Sequence, residues 1–171
     1  MQFQNLQVNW ENIPKSGSAE LKPIEKEYLK VLYISWGILY AILFMAVIAV
    51  LLLVGDVDTS WWILTMAGIA AVAIVNFIIG TGSFRRKGFA VREKDILYRT
   101  GWIFQKLHIV PFNRVQHCVV QSGPIGRRFG LASLSIYTAA SNINDIAIHG
   151  LKNEDAESLK AWILEQIQPL N

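Results

Sequence analysis

The chain has 171 residues, of which 53% are hydrophobic and only 17% charged, against about a quarter charged in ordinary soluble domains; its mean hydropathy is +0.34. A wholly water-soluble globule is excluded, and so are two large catalytic domains, because a long uncharged middle leaves room for one small globular unit. Residues 1–30 balance lysine against glutamate, residues 31–81 carry only Asp56 and Asp58, and residues 82–171 hold the excess behind the net charge of +3. The single cysteine, Cys118, permits no intramolecular disulfide and fits a domain on the reducing side of a membrane.

Residues 1–30 form a cytoplasmic N-terminal segment in this reading. Alternation at residues 6–10 predicts a short strand, and residues 24–32 predict a helix running into the first apolar run. Pro14, Gly17 and Pro23 interrupt the rest. The segment is expected either as a tail or as a piece docked on the C-terminal domain.

Residues 31–54 and 61–81 contain no charge, and each run is long enough to cross a hydrocarbon core about 30 Å thick. They are expected as two transmembrane helices joined by a short extracytoplasmic turn, residues 55–60. The first run begins too far into the chain, without a small-residue cleavage pattern, for a secretory signal, so both spans are expected to stay. The turn has no Lys or Arg, whereas Lys15, Lys22, Lys26 and Lys30 precede the first span and Arg85, Arg86 and Lys87 follow the second. The positive-inside rule then places both termini in the cytoplasm of a multi-pass protein of the cell membrane. Tyr33 and Trp36 mark the inner interface, and Trp61 and Trp62 the outer one. Gly37, Ala41, Ala67, Gly68, Ala70, Ala71 and Ala73 predict smooth faces for close helix packing, and Asn76 a hydrogen bond across the hairpin or to another subunit. With no acidic or basic residue inside either span, an ion path has no support.

Beyond residue 82 the pattern becomes that of hairpins: Phe89 and Val91, Ile96 and Tyr98, then Trp102, Phe104, Leu107 and Ile109, followed by residues 115–121, 134–138 and 144–148. The last segment is helical. Asn153 can cap it, Glu154, Asp155 and Glu157 suit its positive end, and Ala156, Leu159, Ile163 and Ile167 recur on one stripe that Trp162 widens. The expected fold class is an α+β membrane protein: a two-helix transmembrane hairpin, then a small β-barrel of six or seven strands at residues 82–171 capped by a C-terminal α-helix.

The ordered residues Val110-Pro111-Phe112-Asn113-Arg114-Val115-Gln116-His117, Gly123-Pro124, Arg127-Arg128-Phe129-Gly130-Leu131, Leu134 and Thr138-Ala139 resemble the bacterial pleckstrin-homology-like domain of membrane-flanked proteins. The resemblance covers roughly residues 82–168 and the preceding hairpin. It implies a bent, partly open seven-stranded PH-like barrel with a C-terminal helix, in which Pro111, Gln116, Gly123, Pro124, Phe129, Gly130, Leu131 and Thr138 are structural. Where the family often has Thr-Ala-Gly-Gly this chain has Thr138-Ala139-Ala140-Ser141, which predicts a different local turn. The resemblance carries no inositide specificity, because fold does not fix function; Arg92, Lys94, Arg99 and Lys106 are scattered over hairpins.

The stretch from Gly123 to Gly130 has the glycines and cations of a phosphate loop but not its Gly-Lys-Ser/Thr ending. It reads as one helical turn, with Ile125 and Phe129 plugging the barrel, Gly130 ending it, and Arg127 and Arg128 projecting to lipid head groups or a partner's carboxylates. Alternation sets Arg114 and Gln116 on one face and Val115 and His117 on the other; Arg114 is expected to pair with Asp95 or Asp145, or to face a ligand. His108, His117, His149 and Cys118 lack the spacing of a zinc site, and no nucleophile elbow or apolar carboxylate pair occurs. No catalytic residue, metal, cofactor, small-molecule substrate or nucleic-acid partner is therefore expected. Arg85, Arg86 and Lys87, together with Arg114, Arg127 and Arg128, are the candidate contacts to membrane lipids or to protein partners, a second copy included. The expected function is a non-enzymatic, membrane-anchored interaction or assembly module, with binding of anionic head groups as the alternative.

Overall fold

The computed structural model describes residues 20–55, 58–138 and 146–167. The strand expected at residues 6–10 and the turn at residues 139–141 lie outside the described residues. Two long helices, α1 (Glu27–Val54) and α2 (Thr59–Arg86), form the hairpin. A helix satisfies its own backbone polar groups, which is the condition for crossing lipid. The hydroxyls within them bond back to the preceding turn, Ser35 Oγ to Val31 O at 2.7 Å and Thr65 Oγ1 to Trp61 O at 2.8 Å. As expected, Asn76 ties the pair: its Nδ2 donates to Tyr40 Oη at 3.1 Å, and Tyr33 Oη meets Thr81 Oγ1 at 2.7 Å. At the glycines the packing differs from expectation. Gly37 and Gly68 face open space, and the contact is made instead where the Trp36 ring lies over Gly80, a position that a Cβ would occupy. The same ring packs edge-on against Phe77, centroids 5.4 Å apart, an arrangement that aromatic pairs favour.

The remaining chain forms strands β1 (Lys22–Pro23), β2 (Gly88–Val91), β3 (Asp95–Thr100), β4 (Lys106–Pro111), β5 (Val115–Gln121), β6 (Leu131–Thr138) and β7 (Ile146–Lys152), with a short helix α3 (Pro124–Arg128) and a closing helix α4 (Asn153–Ile167). All pairings are antiparallel, in two sheets ordered β1-β2-β3-β4 and β5-β6-β7. Among the described residues no ladder joins the sheets, so the expected barrel is observed as two sheets around one core. Ile96, Tyr98 and Val110 from the first sheet meet Leu134, Ile136 and Ile148 from the second, and α4 adds Ala156 and Ile163. Trp162 closes the end, edge-on to Phe112 with centroids 5.3 Å apart, so the helical stripe read from the sequence is the one that is buried.

The strand preceding α1 belongs to the domain that follows α2. Lys22 pairs with Phe89 and Pro23 with Gly88, Ile24 is buried, and the Glu25 N–H donates to Gly150 O at 2.9 Å. Pro23 is tolerated because β1 is an edge strand, where a missing donor leaves no ladder bond unmade. Both ends of the hairpin are thus fixed to one sheet on one side, and Lys87 alone separates α2 from β2.

Two expectations of alternation fail for identifiable reasons. Trp102 and Phe104 are not strand residues: Gly101, at φ +91°, turns the chain so tightly that a Cβ there would strike Phe104 O, and β4 begins only at Lys106. Val115 and His117 do not share a face either, since a bulge shifts the β5–β6 register between them. Val115 and Cys118 point inward, while Gln116 and His117 are both exposed, His117 stacking on Tyr137 with centroids 4.4 Å apart.

Candidate functional site

The domain's face toward the hairpin is built from the first turns of α1, the Lys87 link, α3, the end of β7 and the β3–β4 turn. Tyr28, in the first turn of α1, is its pivot. Its ring stacks parallel to His149 with centroids 6.2 Å apart and carries the Lys87 ammonium 5.7 Å from its centroid. The ring reaches β7 only because residue 150 is glycine: at φ +76° and 2.7 Å from Tyr28 Cγ, a Cβ would be strained and in collision. His149 Nδ1 shares a hydrogen with Ser133 Oγ at 2.9 Å.

Burial sets the electrostatics of this cluster. Desolvation holds the Lys87 ammonium below its ordinary pKa, and His149 is lowered too, first by burial and then by the Lys87 charge. Desolvation pushes the buried Tyr98 phenol up to about 12. Burial and the Lys87 charge thus both disfavour the charged imidazole, which is stacked on Tyr28 and bonded to Ser133. Beside it opens a cavity of about 200 Å³ between α1, α3 and the second sheet, lined by Tyr28, Val31, Ser35, Ile125, Ser133 and His149 among others.

The anticipated residues divide between two places. Arg85 and Arg86 end α2 and are exposed, Lys87 is half-buried against Tyr28, and Arg127 and Arg128 project from α3. Because α3 packs on α1, these five lie around the base of the hairpin. Arg127 Nη2 reaches Ser122 O at 3.5 Å, a weak tether. Arg114 is elsewhere, exposed on the single 3-10 turn Phe112–Arg114 that packs against α4. It does not pair with Asp95, whose carboxylate takes Arg92 through both Nε and Nη2; Asp145 lies outside the described residues.

Of the structural residues, Pro111 ends β4, Gly123 and Pro124 start α3, and Leu131 and Thr138 bound β6, both buried. Gln116 and Gly130 are exposed, and Gly130 ends the helical turn as expected. Ile125 and Phe129 are corrected: both are half-buried, neither belongs to the core, and Ile125 lines the cavity beside α1. The reason is that α3 is seated on the hairpin, which takes its apolar side. Among the described residues no group of three His, Cys, Asp or Glu is placed to hold a metal ion.

Sequence reasoning missed the Tyr28, Ser133 and His149 cluster, whose members are far apart in the chain and share no motif. It also missed the β3–β4 turn as a surface of its own. A signal existed there: Trp102-Ile103-Phe104 follows a glycine, and such turns are usually polar.

The family described as bacterial PH domain matches residues 29–167, a stretch that includes both helices. The chain is also 29% identical over 140 residues to the UPF0699 transmembrane protein YdbS of Bacillus subtilis (strain 168), covering 80% of this chain and 86% of that protein. No solved structure matches. With two helices long and apolar enough to cross a membrane, a transmembrane relative, and a family match that runs through hairpin, sheets and closing helix, the chain belongs to the bacterial PH domain family.

Proposed function

We propose that this protein is a non-enzymatic, multi-pass adaptor of the cell membrane, with both termini cytoplasmic, that holds a PH-like domain in fixed orientation for a protein partner or a second copy. The observation that carries this reading is strand β4. Among the described residues it is an edge of its sheet, and it shows two aliphatic side chains on one face, Leu107 at 41% and Ile109 at 43% exposure. Unpaired backbone groups flanked by apolar side chains are the template for adding a strand from another chain. The lack of a flexible linker at Lys87 supports the same reading, since it gives the edge a defined height above the bilayer. No nucleic acid or small-molecule substrate enters this reading. The charge bias at the helix ends supports the cytoplasmic assignment, and a C-terminal tag accessible from outside intact cells would overturn it.

The test is a photo-crosslinking residue at Ile109 in the full-length protein in its native membrane. The expected result is a discrete protein adduct, self or foreign, that disappears with Leu107→Lys. Adducts to lipid alone would refute the edge as a protein contact. A second reading, binding of anionic head groups, is favoured by the seat of α3 on α1, which puts Arg127 and Arg128 beside the hairpin whose other helix ends in Arg85 and Arg86. It predicts that bilayers with anionic lipid raise the protein's thermal stability above that in neutral ones, and that Arg127→Ala with Arg128→Ala removes much of the difference.

A further inference from the structure

We infer that the β3–β4 turn is a third membrane anchor, in which Trp102, Ile103 and Phe104 are immersed in the lipid leaflet beside α2. The inference rests on the reading that α1 and α2 span the bilayer. Ile103 is 68% exposed and Phe104 82% exposed, side by side at the tip of a hairpin. In water that is an unfavourable arrangement without a structural return, since neither residue joins the core.

Their neighbour explains them. Trp102 packs on α2 at Gly82, where a Cβ would run into the indole, and together with Phe77, Ile78, Thr81, Gly82 and Arg85 it lines a groove of about 400 Å³. Phe77 lies one helical turn, about 5–6 Å, deeper in the uncharged run than Thr81, which ends it. Trp102 therefore sits level with the last turn of the uncharged run, and Ile103 and Phe104 follow it directly in the chain. Interfacial segments bury their apolar side about 5–10 Å below the head groups, and Trp prefers that boundary. Arg85 and Lys106 flank the turn and are exposed, placed for the head-group layer. The exposed lipid-facing surface of α2 is continuous with the groove, so an acyl chain, and not a protein segment, is the occupant that this position selects.

The test uses the full chain with the buried Cys118 left in place and the parent protein as labelling blank; Cys118→Ala is the background if the parent takes label. Single cysteines at Phe104→Cys, Ile78→Cys and Asn113→Cys carry a fluorophore in phosphatidylcholine/phosphatidylglycerol vesicles, and are quenched either by shallow nitroxide lipid or by aqueous iodide. The expected result is that Phe104→Cys is quenched by nitroxide lipid several-fold more strongly than Asn113→Cys, and is shielded from iodide as Ile78→Cys is. Phe104→Cys behaving like Asn113→Cys while Ile78→Cys stays in lipid would overturn the anchor alone. Phe104→Cys shielded from both quenchers would mean that protein covers the turn, and would also overturn it. Ile78→Cys open to iodide would overturn the spanning reading and the anchor with it. Gly82→Val gives an independent arm: by displacing the indole it is expected to weaken nitroxide quenching at Phe104→Cys, and unchanged quenching would count against the geometry.

Discussion

Strands β4 and β6 share a domain and obey opposite rules. β6 is the middle strand of its sheet, and Leu131, Ala132, Leu134, Ser135, Ile136 and Thr138 are all buried on it; β4 is an edge, and only Val110 is buried on it. A strand enclosed on both sides and both faces serves stability, because each methylene removed there leaves a void that packing cannot refill. A strand with one free edge and an apolar outer face contributes little to stability and is available for contact. Both sheets supply the core, but the second sheet with α4 encloses its middle strand, whereas the first sheet ends on the edge that the proposed function uses.

The largest expected effect sharpens this division. Leu134→Ala, at a site with no exposure, is expected to lower the unfolding free energy by about 2–5 kcal/mol, whereas Ile109→Ala on β4 should cost less than about 1 kcal/mol; chemical denaturation in detergent reads both. Equal losses would erase the distinction. Gly150→Ala is expected to cost about 1–3 kcal/mol through its left-handed backbone and its collision with Tyr28, and to loosen α1 from β7, seen as faster amide exchange at Glu25.

Acid should act on the junction of α1 with β7. His149 has a folded-state pKa below its unfolded value, so the folded state binds fewer protons and its stability falls as pH drops below the unfolded value of about 6.5. The slope cannot exceed about 1.4 kcal/mol per pH unit for one proton, and His149→Phe should flatten it in thermal melts between neutral pH and the folded-state pKa. The smallest effect is expected at the Lys22–Asp155 pair, whose atoms are 3.4 Å apart with both side chains largely in solvent. Lys22→Ala should change stability by less than about 1 kcal/mol, since the backbone ladder to β2 and the buried Ile24 hold the N-terminal strand. A loss of docking in limited proteolysis would show that the ion pair matters more than the ladder.

Much of the architecture is legible in the residues because it follows from local pattern. The uncharged runs specify the helices, the stripe through Ala156, Leu159 and Ile163 specifies α4, and Gly123-Pro124 specifies the start of α3. Non-local facts are not legible. Nothing in residues 22–25 announces pairing with residues 88–89, because a two-residue edge strand has no periodicity to read. The bulge at Gln116 inverts the face of His117 without any residue that marks it. At the candidate site, the charge of Arg127, Arg128, Arg85, Arg86 and Lys87 and their closeness to the spans can be read from the chain, while Tyr28 and His149 are joined only by the tertiary fold. The pairing of Arg114 with Asp95 fails because Asp95 has a nearer partner in Arg92, three residues before it in the chain.

The single residue between α2 and β2 has a mechanical consequence. The uncharged run 61–81 of α2 is about 32 Å long at 1.5 Å per residue, which matches a hydrocarbon core of about 30 Å and leaves the basic last turn of the helix beyond it. Lys87 is clamped against Tyr28 and offers no slack, and the second attachment through β1 resists twisting. The end of α2 and the start of β2 are therefore coupled, and a tilt of the hairpin is carried into the first sheet instead of being absorbed by a linker.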